Sequence, residues 1–420
     1  MQAWLAEQVL EDVPLDRRLG QASGELRAIL ASVLDGHELT PAAGVRCLEA
    51  TGDDLLALIA VADAVRRTDI GDDVTYVVNR NINFTNVCFV GCRFCAFKRH
   101  RSDDAAYSHP LEAVLERVRE GVERGATEIC IQGGINPDMS PFIYRDILAG
   151  IKEAFPAIHL HAFSPMEIMY GARRTGMSYR DYLSMLKAHG LDTIPGTAAE
   201  ILDDEVREIL SRKKVDVRTW VEIVTTAHDL GIPSTSTVMY GHVETPRHVA
   251  AHLALLRDLQ RRTGGFTEFV PLRFIHHNTD LYRQRLIGTP PPKGLYDLRV
   301  YACSRLMLRG WIDNLQTSWV KMSHALAQLS LRAGCNDFGG TLMEESISRQ
   351  AGADAGEYTP VAEIRRLIAE VGRRPIERTT LYEKLDLPGE SGSRAGATRA
   401  DRAGRRSRSR EVPARPDPRC

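Results

Sequence analysis

The chain has 420 residues, 43% hydrophobic and 26% charged, with a formal net charge of -1. That balance is ordinary for a folded globular protein and offers no polybasic face for nucleic acid or an acidic membrane surface. No apolar run is long enough to cross a bilayer, and the opening MQAWLAEQVLEDVPLDRR meets acidic residues early, which argues against a secretory signal. The expected compartment is the cytoplasm, where thiols stay reduced, so the eight cysteines are poor disulfide candidates. No nucleic acid and no membrane is expected as a partner.

In chain order, residues 1–70 read as an N-terminal helical extension. ELRAILASVLDG and LTPAAGVRCLEATGDDLLALIAVADAVRR carry apolar residues at helical spacing, with TP and TGDD as helix starts. Residues 71–387 alternate short β-rich runs with amphipathic ones. The expected strands are TYVVNRNINF, TEICIQGG, IHLHAFSP, LDTIPG, STSTVMYG, TEFVPLRF, NLQTSW and NDFGGT. Helical patterns such as LEAVLERVREGVERG and YRDILAGIKEAF lie between them. Eight strands with intervening helices make an α/β protein, and a (β/α)8 TIM-type barrel is expected rather than an open sheet. Residues 388–420 are rich in Arg, Gly, Ser and Pro without apolar periodicity and read as a disordered, solvated tail.

Polar and Gly-rich residues gather after each strand, in NFTNVC, QGGINPD, HAFSPME, PGTAAE, MYGH, HHN, QTSW and GGT. In a barrel those loops open on one face, where active sites sit. Turn chemistry accounts for the Gly and Pro but not for the Gln, His, Glu and Asn.

The first such loop, NVCFVGCRFCAF, holds Cys88, Cys92 and Cys95, while Cys47, Cys130, Cys303, Cys335 and Cys420 are isolated. Thiolates bind zinc or iron–sulfur clusters. A structural zinc wants four ligands, for which His100 or Cys130 is available. A cluster held by three cysteines leaves one iron open to a small molecule. The C-x3-C-x2-C spacing, with Phe94 before the last ligand, favours the cluster.

That motif after a first barrel strand resembles the radical S-adenosylmethionine (SAM) enzymes. NRNINFTNVCFVGCRFCAF, CIQGGINPD, HLHAFSPMEI, GLDTIPGTAAEILDDEVR, STVMYGHVETPRH, RTGGFTEFVPLRF, QTSWVK and NDFGGTLMEESISR together are similar to the tyrosine-using half of FO synthase. The resemblance spans about residues 70 to 383. It implies a [4Fe-4S] cluster on Cys88, Cys92 and Cys95, with SAM on the open iron. The implied substrates are L-tyrosine and 5-amino-6-(D-ribitylamino)uracil. A 5′-deoxyadenosyl radical fragments tyrosine, and its 4-hydroxybenzyl group joins the uracil. The products are 5-amino-5-(4-hydroxybenzyl)-6-(D-ribitylimino)-5,6-dihydrouracil, 2-iminoacetate, methionine and 5′-deoxyadenosine. A separate, cyclising FO synthase subunit and a reductant such as ferredoxin or flavodoxin are the implied partners. The aminofutalosine synthase and dehypoxanthine futalosine cyclase of menaquinone biosynthesis resemble the same barrel. IPGTAAEIL and Met166 in FSPMEI favour the tyrosine-using family.

For the cofactor, the resemblance implies Gly133 and Gly134 against the methionine end of SAM, Gln132 beside them and Phe94 near the adenine. Glu200 is a candidate for the ribose or sulfonium, with a T-x-x-E capping box as its alternative. His161, Glu167, Tyr240 and His242 are candidates for placing substrate or moving protons. A carboxylate wants Arg, and a ring and polyol want amides and hydroxyls. Arg273, His277, Asn278, Gln316, Ser318 and Thr341 supply those groups.

Overall fold

The computed structural model describes residues 3–288 and 290–385; the tail expected at 388–420 lies outside the described residues. Five helices precede the first strand: Ala3–Leu10, Leu15–Gln21, Gly24–Leu34, Pro41–Leu48 and Gly52–Asp69. Thr40 caps the fourth by accepting from Ala43 N at 3.2 Å, with Pro41 in the first turn. Leu26, Leu30, Leu48, Leu55 and Leu58 on these helices belong to the same buried cluster as the barrel residues. Residue 70 therefore marks a change of element type and not a break in the core.

The strands are β1 (Asp73–Val77), β2 (Asn79–Ile82), β3 (Glu128–Ile131), β4 (His159–Ala162), β5 (Ser234–Tyr240), β6 (Phe266–Arg273), β7 (Asp337–Gly340) and β8 (Arg374–Glu377). All pair in parallel. β2 pairs with β3 from Asn79↔Glu128, β3 with β4 from Glu128↔His159, and β5 with β6 from Ser234↔Phe266. Isolated bridges close the remaining gaps: His161↔Thr193, Ile194↔Ser234, Phe269↔Leu315 and Gln316↔Asp337. β7 returns to β1 at Thr75↔Asp337, so the eight expected segments form one closed ring.

Two expected strands, LDTIPG and NLQTSW, survive only as those bridges. In the first, Pro195 follows Ile194 and has no N–H to continue a ladder. TYVVNRNINF is divided between β1 and β2. The sequence reading missed β8, whose RPIE lacks an apolar pattern. It pairs with Asp73–Tyr76 along the edge of β1, below the stretch where β2 meets β3. Beyond it the chain turns inward, and Arg378 and Thr380 line the barrel interior.

Outer helices bury one stripe each. Ile143–Ala154 buries Tyr144, Ile147, Leu148 and Ile151, the i, i+3, i+4, i+7 spacing of an amphipathic helix. The barrel interior is different. Barrel centres are ordinarily filled by branched apolar side chains. Here Asn79, Glu128, His161, Glu268, Gln316 and Arg378 line a cavity of about 420 Å³.

Candidate active site

Cys88, Cys92 and Cys95 all lie on the wall of this cavity. Their loop is held from several sides. Cys88 N donates to Arg99 O at 3.1 Å, Phe89 N to Ile135 O at 3.2 Å and Arg93 N to Leu210 O at 2.9 Å. Asn86 clamps the returning strand by accepting from Tyr107 N at 2.8 Å and donating to Ala105 O at 2.8 Å. Gly91 takes φ +72°, a left-handed turn that suits glycine. Burial pushes the Cys92 thiol up to about 12, with Cys95 and Cys88 adding to the rise against Lys214. Burial likewise raises Cys95, with Cys88 adding. The Cys92 and Cys95 thiols resist ionisation, and bound iron would reverse that cost by taking them as thiolates. The residues therefore fit a cluster. Among the described residues no three His, Cys, Asp or Glu side chains are gathered around a single ion position. A cluster asks instead for one thiolate on each of three irons. His100, the alternative zinc ligand, is exposed and its Nδ1 lies 2.7 Å from Ser102 Oγ.

Beside the cysteines, Gly133 and Gly134 follow β3. A Cβ on Gly134 would lie 2.3 Å from Val87 O, so this glycine admits the cysteine loop's own backbone. Gly133 N donates to Glu167 Oε1 at 3.0 Å. Gln132 reaches across to Thr197 Oγ1 at 3.1 Å. Glu167 closes a capping box with Ser164 at the start of the helix Pro165–Thr175. Burial, only partly offset by Ser164 and Gly133, raises its carboxyl to about 7.

Glu200 does not cap a helix. The next one, Asp204–Ser211, is capped by Asp203, and Glu200 lies in the preceding turn at φ +40°. It accepts from Lys214 Nζ at 2.6 Å and Arg207 Nη1 at 3.4 Å. Burial acts to raise Glu200, but the two cations outweigh it and hold the carboxylate below its usual range. Lys214 also sits 5.1 Å from the Phe94 ring centre. Phe94, Lys214 and Glu200 thus form a stack on one wall.

Deeper in, Glu128 accepts from Asn79 Nδ2 at 2.9 Å, and His161 Nδ1 lies 2.7 Å from Thr193 Oγ1. Burial pushes His161 down to about 4, so the ring is neutral near pH 7. Glu268 accepts from Gln316 at 3.1 Å and from Tyr382. Burial raises it to about 7 despite Arg378. Arg378 pairs with Asp337 at 2.5 Å and Glu268 at 3.5 Å. Two buried oxygens on this wall, Asn81 Oδ1 and Thr380 Oγ1, have no hydrogen-bond partner among the described residues.

Of the residues singled out by sequence, Phe94, Gln132, Gly133, Gly134, His161, Glu167, Glu200, Arg273, Gln316 and Ser318 line the cavity with the cysteines. Five do not. Tyr240 is fully buried and donates to Asp297 Oδ1 at 2.7 Å. His242 packs on Glu244 at 3.0 Å and on Met239 O at 2.9 Å. His277 stacks on His276, and Asn278 donates to Gln350 O at 2.9 Å. Thr341 ties β7 to Asn79, donating to its carbonyl at 2.7 Å. These side chains secure loops and strand ends. Arg273 reaches the wall, but its guanidinium spans both Asp297 oxygens at 2.7 Å. Sequence reasoning missed Glu128, Lys214, Glu268, Lys321, Glu345 and Arg378, all on the wall. Glu128 and Cys130 alternate inward along β3, a period-of-two signal available in the sequence. Arg378 gave none, because its segment did not read as part of the barrel.

The Radical SAM superfamily model matches residues 82–256, and a CofH/MqnC C-terminal region model matches residues 263–391. Among solved structures, methylornithine synthase (PylB) superposes with TM-score 0.65 at 18% identity, covering 83% of this chain and 97% of that one. The FeFe-hydrogenase maturase HydG from Carboxydothermus hydrogenoformans gives 0.68 at 16% identity, covering 90% and 85%. Fold and cysteine loop together define a radical SAM enzyme, and that superfamily implies a [4Fe-4S] cluster and SAM.

Among curated relatives, the 5-amino-6-(D-ribitylamino)uracil–L-tyrosine 4-hydroxyphenyl transferase of Methanothermobacter thermautotrophicus is 47% identical over 360 residues, 86% of this chain and 98% of that protein. The chain belongs to that family. It is also 52% identical to the FO synthase of Streptomyces coelicolor over 359 residues, but spans only 41% of that protein's length. Among the described residues no helix is long and apolar enough to cross a membrane.

Proposed function

We propose that this chain is a radical SAM transferase that cleaves the side chain of L-tyrosine. It joins the resulting 4-hydroxybenzyl group to 5-amino-6-(D-ribitylamino)uracil, in the formation of the deazaflavin coenzyme FO. The observation that carries this reading is the near end-to-end match to the Methanothermobacter transferase. When bound, the cluster and SAM supply a 5′-deoxyadenosyl radical as hydrogen acceptor. Cys88, Cys92 and Cys95 would hold the cluster, and the iron they leave open would take SAM. Gly134 keeps the cysteine loop against the QGG turn. Phe94, Lys214 and Glu200 form the wall for the nucleoside. The uncharged His161 and the carboxyls of Glu128 and Glu268 give the deep end groups suited to a uracil and a polyol. The closed ring and the inward turn at Arg378 shield the site from water.

The chain spans about two fifths of the FO synthases it matches, and a cyclising FO synthase subunit is the functional partner in this reading. A ferredoxin or flavodoxin supplies the electron, and the cytoplasm is the setting that suits seven free described cysteines.

The test is anaerobic. The reconstituted protein is given dithionite, SAM, tyrosine and the aminouracil, and products are read by mass spectrometry. 5′-Deoxyadenosine together with the 4-hydroxybenzyl adduct is expected. 5′-Deoxyadenosine without the adduct, and turnover of a futalosine substrate instead, would overturn the assignment.

A further inference from the structure

Five cations line the cavity: Lys98, Lys214, Arg273, Lys321 and Arg378. Four are matched by carboxylates. Lys98 pairs with Asp280 at 2.7 Å, Lys214 with Glu200 at 2.6 Å, Arg273 with Asp297 at 2.7 Å and Arg378 with Asp337 at 2.5 Å. Lys321 makes no ion pair among the described residues; its Nζ donates to Ser348 Oγ at 2.7 Å. Glu345 is its acidic counterpart. It is buried on the same wall, makes no ion pair among the described residues, and caps the helix Ser346–Ala351 by accepting from Ser348 N at 3.2 and 3.0 Å. Ser348 therefore bonds to both and stands between them.

Burial acts against the charged form of each, and each partly relieves the other. Cys95 also acts on Lys321, which puts the lysine near the cysteine loop. Opposite charges left apart on a cavity wall are costly unless something completes them. A ligand carrying a cation and an anion on adjacent atoms does so.

We propose that Lys321 and Glu345 form an α-amino-acid subsite, Lys321 taking the carboxylate and Glu345 the amino group. The identity of that amino acid as tyrosine rests on the transferase reading. Both groups lie on the cavity wall, so the side chain of the bound amino acid extends into the cavity. Lys321 ends the QTSWVK stretch and Glu345 lies in the loop after β7, so two neighbouring segments of the ring build the subsite.

The test is binding, read by calorimetry on the cluster-reconstituted enzyme with SAM. The ligands are tyrosine, tyramine (no carboxylate) and 3-(4-hydroxyphenyl)propanoate (no amine). Wild type is expected to favour tyrosine over either by about 30-fold or more, as for a buried charge pair losing one partner. Lys321→Met is expected to bring the tyrosine-to-tyramine ratio within about threefold. Lys321→Arg should restore most of it. Glu345→Gln is expected to flatten the tyrosine-to-propanoate ratio instead. Unchanged ratios in both variants overturn the proposal. So does a Lys321→Met enzyme that loses tyrosine, tyramine and SAM equally, since that makes the lysine a counter-charge for the cluster. A wild type that discriminates for tyrosine yet forms no uracil adduct would sink the transferase reading and leave the subsite standing. No discrimination in wild type would sink the subsite whatever the products.

Discussion

Gly134→Ala is a small perturbation at a site with no spare room. The added methyl would lie 2.3 Å from Val87 O, 2.8 Å from Val87 C and 3.1 Å from Asn86 C. Ordinary contact begins near 3.4 Å, so the two backbones must part by about 1.1 Å. No rotamer can relieve this, because the obstacle is main chain. Overpacking costs of about 1–3 kcal/mol are typical, and a backbone obstacle belongs at the upper end. The strain falls on Val87, next to Cys88, and opposes the bond from Gly134 N to Thr85 O at 2.7 Å. The expected outcome is a stability loss of about 3 kcal/mol by denaturant unfolding, with iron and acid-labile sulfide per chain well below wild type after reconstitution. Gly20→Ala is the control. Gly20 lies in the helix Leu15–Gln21, and a Cβ there meets nothing within 4 Å. It is expected to be neutral or to stabilise by up to about 1 kcal/mol. A Gly134→Ala protein with wild-type stability and full iron and sulfide content would refute the close-approach reading of this turn.

Single Cys88→Ala, Cys92→Ala and Cys95→Ala changes should each abolish 5′-deoxyadenosine formation while circular dichroism stays native; turnover in any of them would break the ligand assignment. Ending the chain after Leu387 should leave turnover intact, because among the described residues the last to line the cavity is Thr380; a large activity loss would give the tail a role. The Glu167 carboxyl is raised to about 7 by burial, so between about pH 4.5 and 7 the folded apo-protein holds a proton the unfolded chain has lost. Its contribution to stability is therefore present at low pH and is lost as pH rises to about 7. Urea midpoints of wild type minus Glu167→Gln should fall over that window and level off above it, and a flat difference would refute the shift. Arg378→Met leaves Asp337 and Glu268 buried without their cation; a loss of about 3–5 kcal/mol in denaturant unfolding is expected, and a loss below about 1 kcal/mol would mean the pair is not buried as described.

The sequence by itself determined the elements whose signals are short-range. Period-of-two runs gave the eight ring segments, and apolar spacing gave the helices. The three cysteines within eight positions gave the loop that carries the chemistry. Parallel strands joined by crossovers put the following loops at one end, and the family resemblance singled out Phe94, Gln132, Gly133, Gly134 and Glu200 among them, all of which line the cavity. Tertiary structure decided which of the polar residues were already spoken for. Arg273 reads as a carboxylate binder until Asp297, in the helix Leu295–Met307, takes its guanidinium. Tyr240 points to the same aspartate. Lys321 and Glu345 looked no different from their neighbours, yet among the described residues they make no ion pair and share only Ser348 on the wall. A charge's availability depends on which partner a distant segment brings to it. That is a property of the closed ring, and no local pattern records it.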